Sequence, residues 1–201
     1  MQKNVHIVGI GGRDRSGKDT LAEIYMEKGY FGFSFGDAVR KHAHERHADK
    51  PDPISVKNMT ETSNYLRDTY GPDIILKEAL EAYENQVKAG KKYKGLVLFS
   101  VRVPVEVDFI LAHGGEIVWA ETTDEIRHKR KLANARPGEA KVSLEEMLAQ
   151  EALQMKPQPG TPVVAQMNLP YVKNHATRVI ENNGNDVEAF RAVAEKALNI
   201  T

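Results

Sequence analysis

Residues 9–20 read Gly9-Ile10-Gly11-Gly12-Arg13-Asp14-Arg15-Ser16-Gly17-Lys18-Asp19-Thr20, directly after the apolar run Val5-His6-Ile7-Val8. From Gly12 the spacing is a glycine, four residues, then Gly17-Lys18, which is the Walker A frame of a phosphate-binding loop. The spacing has a physical cause. A strand delivers the chain to a glycine-rich turn whose backbone N–H groups converge on phosphate oxygens. The helix that follows, through Leu21-Ala22-Glu23-Ile24-Tyr25-Met26, aims its positive N-terminus at the same anion. Lys18 then reaches the terminal phosphates as a point charge. The strict pattern has Ser or Thr directly after the lysine; here Asp19 intervenes and the hydroxyl follows at Thr20.

Downstream, short apolar runs alternate with amphipathic helical stretches, the pattern of a parallel sheet with helices on its faces. The expected strands are Val5–Ile10, Gly32–Phe35, Leu96–Phe99, Ile117–Ala120 and Arg178–Ile180. The first helix is expected from Gly17 to about Lys28 and a second from near Asp37. Others are expected over Thr60 to Tyr70, over Pro72 to Lys88 with Pro72 at a first helical position, and over Val105 to His113. Thr122-Thr123-Asp124-Glu125 and Ser143-Leu144-Glu145-Glu146 read as capping boxes, and Asn185-Asp186-Val187-Glu188 as an Asx cap opening a last helix to about Leu198. Pro157-Gln158-Pro159-Gly160-Thr161-Pro162 is a loop. Met59–Ala89 carries two helices between strands, the natural insert over the sheet edge.

Composition excludes several classes. The 201 residues suit one domain with a small insert. Lys and Arg number 28 against 28 Asp and Glu, so no bulk charge favours nucleic acid or an anionic membrane. Cysteine is absent, which removes disulfides and thiolate metal sites. With neither a signal-peptide pattern at the N-terminus nor an apolar run of transmembrane length, the expectation is a cytoplasmic protein, a monomer or homodimer, with a small-molecule partner.

Further constellations follow the loop. In Ser34-Phe35-Gly36-Asp37-Ala38-Val39-Arg40, Arg40 lies one turn into the second helix on the face that Asp37 begins, where it could fork onto an acceptor phosphate or simply be solvated. Phe99-Ser100-Val101-Arg102-Val103-Pro104 sits just past a buried strand, where open α/β sheets bind ligands, and Arg102 is a second candidate clamp. The carboxylate that would organise magnesium at this strand end is absent, and Ser100 stands in its neighbourhood; Asp19 or Asp14 could hold the ion through water. Arg127 and Arg130 share a helix face, and Arg136 follows in a loop before the next helix. They could neutralise charge on a migrating phosphoryl group, or form an ordinary basic helix. Ile180-Glu181-Asn182-Asn183-Gly184-Asn185 ends a strand in a polar turn that could read an adenine, or be a plain connection. His42, His44 and His47 cluster on the second helix without a convergent carboxylate set, and read as a solvated face.

Taken together, these residues resemble the nucleoside monophosphate kinase superfamily of P-loop proteins. Gly12 to Thr20, with hydroxyl one position late, is similar to the loop of phage-type deoxynucleoside monophosphate kinases and animal-type phosphomevalonate kinases. Gly36-Asp37-Ala38-Val39-Arg40 resembles the adenylate-kinase Gly-Asp-x-x-Arg, Ser100-Val101-Arg102 the family's Asp-x-Arg, and Val179 to Gly184 its last strand and adenine-side turn, also seen in dephospho-coenzyme A kinases. The resemblance implies a three-layer α/β/α P-loop NTPase fold with a five-stranded parallel sheet. Its core would be residues 1–47, 95–126 and 176–201, its acceptor-binding insert about 48–94 and its LID about 127–155. It implies ATP and Mg2+ as cofactors. The nucleotide would lie on Gly12, Arg13, Asp14, Arg15, Ser16, Gly17, Lys18, Asp19 and Thr20, with Arg127, Asn183 and Gly184 beside it. Thr20 and Asp19 would hold the metal. Asp37, Arg40 and Arg102 would bind the acceptor, and Lys18, Arg102, Arg130 and Arg136 would act in transfer. The implied reaction moves the γ-phosphoryl group to a nucleoside or deoxynucleoside monophosphate. Dephospho-coenzyme A, phosphomevalonate and a non-catalytic nucleotide-binding role are the alternatives.

Overall fold

The computed structural model of the chain describes residues 5–135, 141–156 and 162–200. Strands β1 (His6–Gly12), β2 (Tyr30–Ser34), β3 (Gly95–Val101), β4 (Glu116–Glu121) and β5 (Arg178–Glu181) form one sheet in the order β2-β3-β1-β4-β5. Every pairing is parallel, so β1, which carries the phosphate loop, sits in the middle, flanked by β3 and β4. Helices α1 (Lys18–Glu27) and α9 (Val187–Leu198) follow β1 and β5. Between β2 and β3 lie α2 (Phe35–Arg46), α3 (Val56–Tyr70) and α4 (Ile74–Lys88). Helix α5 (Pro104–Ala112) connects β3 to β4. Between β4 and β5 come α6 (Asp124–Ala133), α7 (Leu144–Gln154), a short 3-10 turn (Val163–Ala165) and α8 (Leu169–Asn174).

Alternation along the strands splits the core into two layers, because successive side chains point to opposite faces. Val8, Ile10, Val97, Val118, Ala120 and Ile180 pack on α1 and α9 through Leu21, Ile24, Tyr25, Phe190 and Ala194. Ile7, Leu96, Leu98, Ile117 and Trp119 face the other way, onto the insert and α5 and α8 through Phe35, Leu66, Ile75, Ala79, Val107, Ile110 and Val172. On that second face β1 presents glycine. A Cβ at Gly11 would meet Val172 and the Trp119 ring, so its absence lets α8 close on the strand.

Several boundaries depart from the sequence expectation. β1 runs on through Gly11 and Gly12, which pair with Trp119 and Ala120, so the loop proper begins after Gly12. β2 covers Tyr30–Ser34 rather than Gly32–Phe35: Ser34 caps α2 by accepting from the Asp37 N–H, and Phe35 is already helical and buried. Helix α3 starts earlier than Thr60, at Val56, where the Ser55 hydroxyl accepts from Asn58 N. Pro72 precedes α4, whose cap is Asp73. The expected box at Thr122 to Glu125 does not form; Thr123 is the cap residue of α6 and the Thr122 hydroxyl is engaged elsewhere. Ser143 and Glu146 do form a reciprocal box at α7, and hydrogen bonds from the Ser143 backbone N–H and side chain hold the exposed Glu146 carboxyl below its ordinary range. Helix α8 has no counterpart in the sequence reading. The expected loop at 157–162 falls, save Pro162, outside the described residues.

Candidate phosphate-transfer site

The loop after β1 turns on two glycines with positive φ, Gly12 at 154° and Gly17 at 98°. A side chain at Gly17 would also run into the Asn182 amide. Gly17 caps α1 without a side-chain hydrogen bond, so the first turn of that helix is left open to an anion. Lys18 follows and is only 4% exposed.

The loop's carbonyls explain its shape. Arg127 Nη1 donates to Asp14 O at 3.1 Å, and Arg130 Nη1 to Arg15 O at 3.0 Å. Thr122 Oγ1 and Asn182 Nδ2 both donate to Ser16 O, each at 3.0 Å. Three successive carbonyls are thus drawn to one side by side chains from α6 and from the residues just past β4 and β5. In a trans peptide the N–H of the next residue points the opposite way, so these bonds turn the Arg15 and Gly17 N–H groups away from that wall. Such an arrangement of backbone donors is an anion cradle. The Ser16 hydroxyl is buried with no partner in the protein, an orphaned polar atom inside the cradle. Arg15 holds a left-handed backbone at φ 64° in the same turn.

In front of the loop lies a cavity of about 260 Å³, lined by Asp14, Lys18, Asp19, Ser34, Gly36, Asp37, Arg40, Phe99, Ser100 and Arg102, with Glu23, Met26 and Met59 at its edge. The loop, the start of α2 and the end of β3 therefore meet at one place, as the sequence expects. Arg40 is paired with Asp37 one turn before it. Burial lowers the Arg102 guanidinium, against the pull of Asp14 and Glu106, and Arg40 and Arg67 push in the same direction as burial. Ser100, at the strand end, is buried with a left-handed backbone at φ 62°. A second cavity, about 560 Å³, opens between α2, α3 and α4 around Thr62, Leu66, Tyr65 and Tyr70, with the His42–Glu78 pair at its wall. Asp19 lines the first cavity and Thr20 stands on the same turn. Among the described residues no group of three or more His, Asp or Glu could hold a metal unaided.

The two helix arginines are placed otherwise than expected. Arg127 is fully buried and forks onto carboxylates: Nη1 to Glu151 Oε1 at 2.6 Å, Nη2 to Glu151 Oε2 at 3.0 Å and to Asp124 Oδ1 at 2.7 Å. Burial opposes its charge, but Glu151 and Asp124 outweigh that and raise its pKa. Its guanidinium is thus engaged by Glu151, Asp124 and the Asp14 carbonyl. Among the described residues Arg130 bonds no carboxylate; its acceptors there are Arg15 O, Asn182 O and Oδ1, and Gly184 O. Burial lowers its pKa. Asn183 Oδ1 accepts from Thr123 N, so the polar turn after β5 is bonded to the start of α6 as well. Arg13 reaches Asp124 at 3.3 Å. Arg136 lies outside the described residues.

The sequence offers Thr122 only as a helix cap and Asn182 only as part of a polar turn, and it does not point to Glu106 or Arg67. Glu106 had a readable signal, a carboxylate at the third position of a helix opened by Pro104. Thr122 and Asn182 act across 106 and 166 residues of sequence, which no local pattern reports.

No known protein-family profile matches the chain. It is 27% identical over 134 residues to the UPF0200 protein PAE1629 of Pyrobaculum aerophilum, covering 66% of this chain and 68% of that one. Among solved structures it is similar to TT1252 from Thermus thermophilus, with a TM-score of 0.58 and 21% identity over 99% of this chain and 100% of that one. It is also similar to shikimate kinase from Bacteroides thetaiotaomicron, with a TM-score of 0.53 and 9% identity over 96% and 98% of the two chains. These are likenesses of fold. The five-stranded parallel sheet with helices packed on it is an α/β fold that matches that of this shikimate kinase.

Proposed function

We propose that the protein is an ATP-dependent phosphotransferase whose acceptor is a small phosphorylated molecule, a nucleoside or deoxynucleoside monophosphate before others. The observation that carries this reading is the cradle itself. Loop carbonyls are held outward, an uncapped α1 and the nearly buried Lys18 face the cavity, and Arg40 and Arg102 line the same cavity. A donor phosphate on the loop and an acceptor phosphate on the two arginines would then face each other. Holding two reactants in that way, with charge stabilisation, is most of what phosphoryl transfer requires.

Each residue has a definable task. Lys18 and the loop amides bind and orient the donor phosphates. Arg40, braced by Asp37, and Arg102 bind the acceptor phosphate. That phosphate is already anionic at neutral pH, so no general base is needed. Thr20 and Asp19 would hold magnesium, which fits a metal that takes one or two carboxylates and completes its shell with phosphate oxygens and water. When bound, magnesium neutralises charge on the phosphate oxygens. Arg130 and Arg127 support the loop from behind. The cavity between α2, α3 and α4 lies further along the face of α3 that Met59 begins, and offers room for the rest of the acceptor.

One observation favours a second reading. Asp14 lines the cavity close enough to Arg102 to influence its charge. A hydroxyl acceptor such as dephospho-coenzyme A would need a general base, and Asp14 is placed to be one. The test is ADP release from magnesium-ATP with each nucleoside and deoxynucleoside monophosphate, dephospho-coenzyme A and phosphomevalonate offered separately. A monophosphate rising above the no-acceptor blank supports the proposal. Release with dephospho-coenzyme A alone moves the reading to a hydroxyl acceptor. ATP binding with a flat panel replaces it with a non-catalytic nucleotide-binding role.

A further inference from the structure

Arg102 is held by its backbone as well as by its surroundings. Its N–H donates to Glu106 Oε2 at 2.9 Å, and its carbonyl accepts from the Asn168 N–H at 2.8 Å. The Val103 N–H donates to the same Glu106 oxygen at 3.3 Å. The other oxygen of that carboxylate, Oε1, receives Arg67 Nη2 at 3.1 Å. Arg67 belongs to α3, in the insert, whereas Glu106 belongs to α5, on the core. One carboxylate therefore joins the helical insert to the peptide that carries Arg102.

Packing alone does not call for this pair. Arg67 and Glu106 are 6% and 3% exposed, and burying two charges costs solvation that an apolar pair of similar volume would not. Burial pushes the Glu106 carboxyl up, with Arg67 and the two backbone donors opposing it. The pair is also incompletely satisfied, because the buried Arg67 Nε finds no partner. What a carboxylate does here that an apolar residue cannot is accept two backbone N–H groups at the end of β3 while binding a guanidinium from the insert.

We propose that Arg67 and Glu106 are positioning residues for the acceptor, through which the helical insert sets the placement of Arg102. The inference rests on the proposed role of Arg102 in holding an acceptor phosphate. Neither residue lines the cavity in front of the loop, so both act through Arg102.

The variants are Arg67→Met, Arg67→Lys and Glu106→Gln, assayed with ATP and whichever monophosphate the panel selects. Arg67→Met and Glu106→Gln should raise the acceptor KM about tenfold while the KM for ATP stays within about twofold, as expected for a loss confined to one substrate's binding. Arg67→Lys, which keeps the charge, should recover much of the loss. Equal changes in both KM values, or an acceptor KM that does not move in variants with cooperative melting, would overturn the proposal. If the wild type turns over no acceptor, the functional reading fails, and this one is decided separately by amide hydrogen exchange. Faster exchange at Arg102 and Val103 in Arg67→Met, with the β1 amides unchanged, supports the link. Unchanged protection at Arg102 refutes it.

Discussion

The two walls of the cleft in front of the loop are built differently. On the side of the proposed nucleotide, three consecutive loop carbonyls are each taken by a side chain, and three of those four side chains, Thr122, Arg130 and Asn182, are also linked at the turn after β5. Thr122 Oγ1 reaches both Ser16 O and Asn182 O, and Arg130 reaches Arg15, Asn182 and Gly184. On the acceptor side, among the described residues, the insert meets the core through apolar packing, the Arg67–Glu106 pair and little else that is polar and buried. A cavity of about 560 Å³ remains between its own helices. Cross-linked backbone holds a shape at its own cost, whereas an insert with one polar tie and internal space can adjust to what it binds. On the proposed reading, this makes a donor site preorganised before ATP arrives and an acceptor site completed with its ligand.

Removing charge from the donor wall gives the largest effect. Lys18→Ala should reduce turnover at least about a thousandfold, since it deletes the cation nearest the terminal phosphates. Circular dichroism and the melting temperature should change little, because the loop carbonyls are held by other residues. Full activity in that variant would end the phosphotransfer reading.

Arg127→Met tests whether the wall is a structural unit. It would leave Glu151 and Asp124 against a buried apolar group with Arg13, at 3.9 and 3.3 Å, as their remaining cation among the described residues, and breaking a buried ion pair by removing one partner costs about 3–5 kcal/mol. Asp124 is partly exposed and will recover some hydration, so the lower end is expected, about 3 kcal/mol in chemical denaturation. A change within experimental error would mean that the fork onto Glu151 does not persist in solution.

Asn182→Ala is a finer cut in the same wall. It leaves the buried Ser16 carbonyl with the Thr122 hydroxyl alone and removes one acceptor from Arg130. Loss of one such bond costs about 1–2 kcal/mol, which should show as a rise of roughly tenfold in the Kd for ATP by calorimetry. The comparison between walls breaks if acceptor KM moves more than ATP affinity.

How much of this was visible in the chain depends on the range of the interaction. The Gly12–Lys18 spacing declares the loop because strand, turn and helix are local. Arg40 and Arg102 were found by their offset from strand ends, which topology converts into nearness. Arg127 and Arg130 were visible as charges on one helix face, but charge patterning does not say whether a cation will be solvated or buried. Glu151, twenty-four residues on, decides that for Arg127. Thr122 shows how a local rule can be overridden. Its spacing to Glu125 fits a capping box, yet its hydroxyl reaches Ser16 and Asn182, because β4 and β5 end beside the loop.

The smallest effect should come from the insert's own polar contact. His42 Nε2 and Glu78 Oε1 are 2.8 Å apart, joining α2 to α4 at the wall of the larger cavity, with side chains 28% and 31% exposed. Water reaches both groups, so the contact is screened and partly replaced by solvent on removal. Glu78→Gln should therefore lower stability by less than about 1 kcal/mol. It should leave the Kd for ATP unchanged, since neither residue touches the loop or the side chains behind it. Any change belongs in acceptor binding, because the pair fixes the spacing of two helices that enclose the cavity. A shift in ATP affinity equal to that of Asn182→Ala would show that the two walls are coupled as one rigid body, and the contrast between a preset donor site and an adjustable acceptor site would have to be given up.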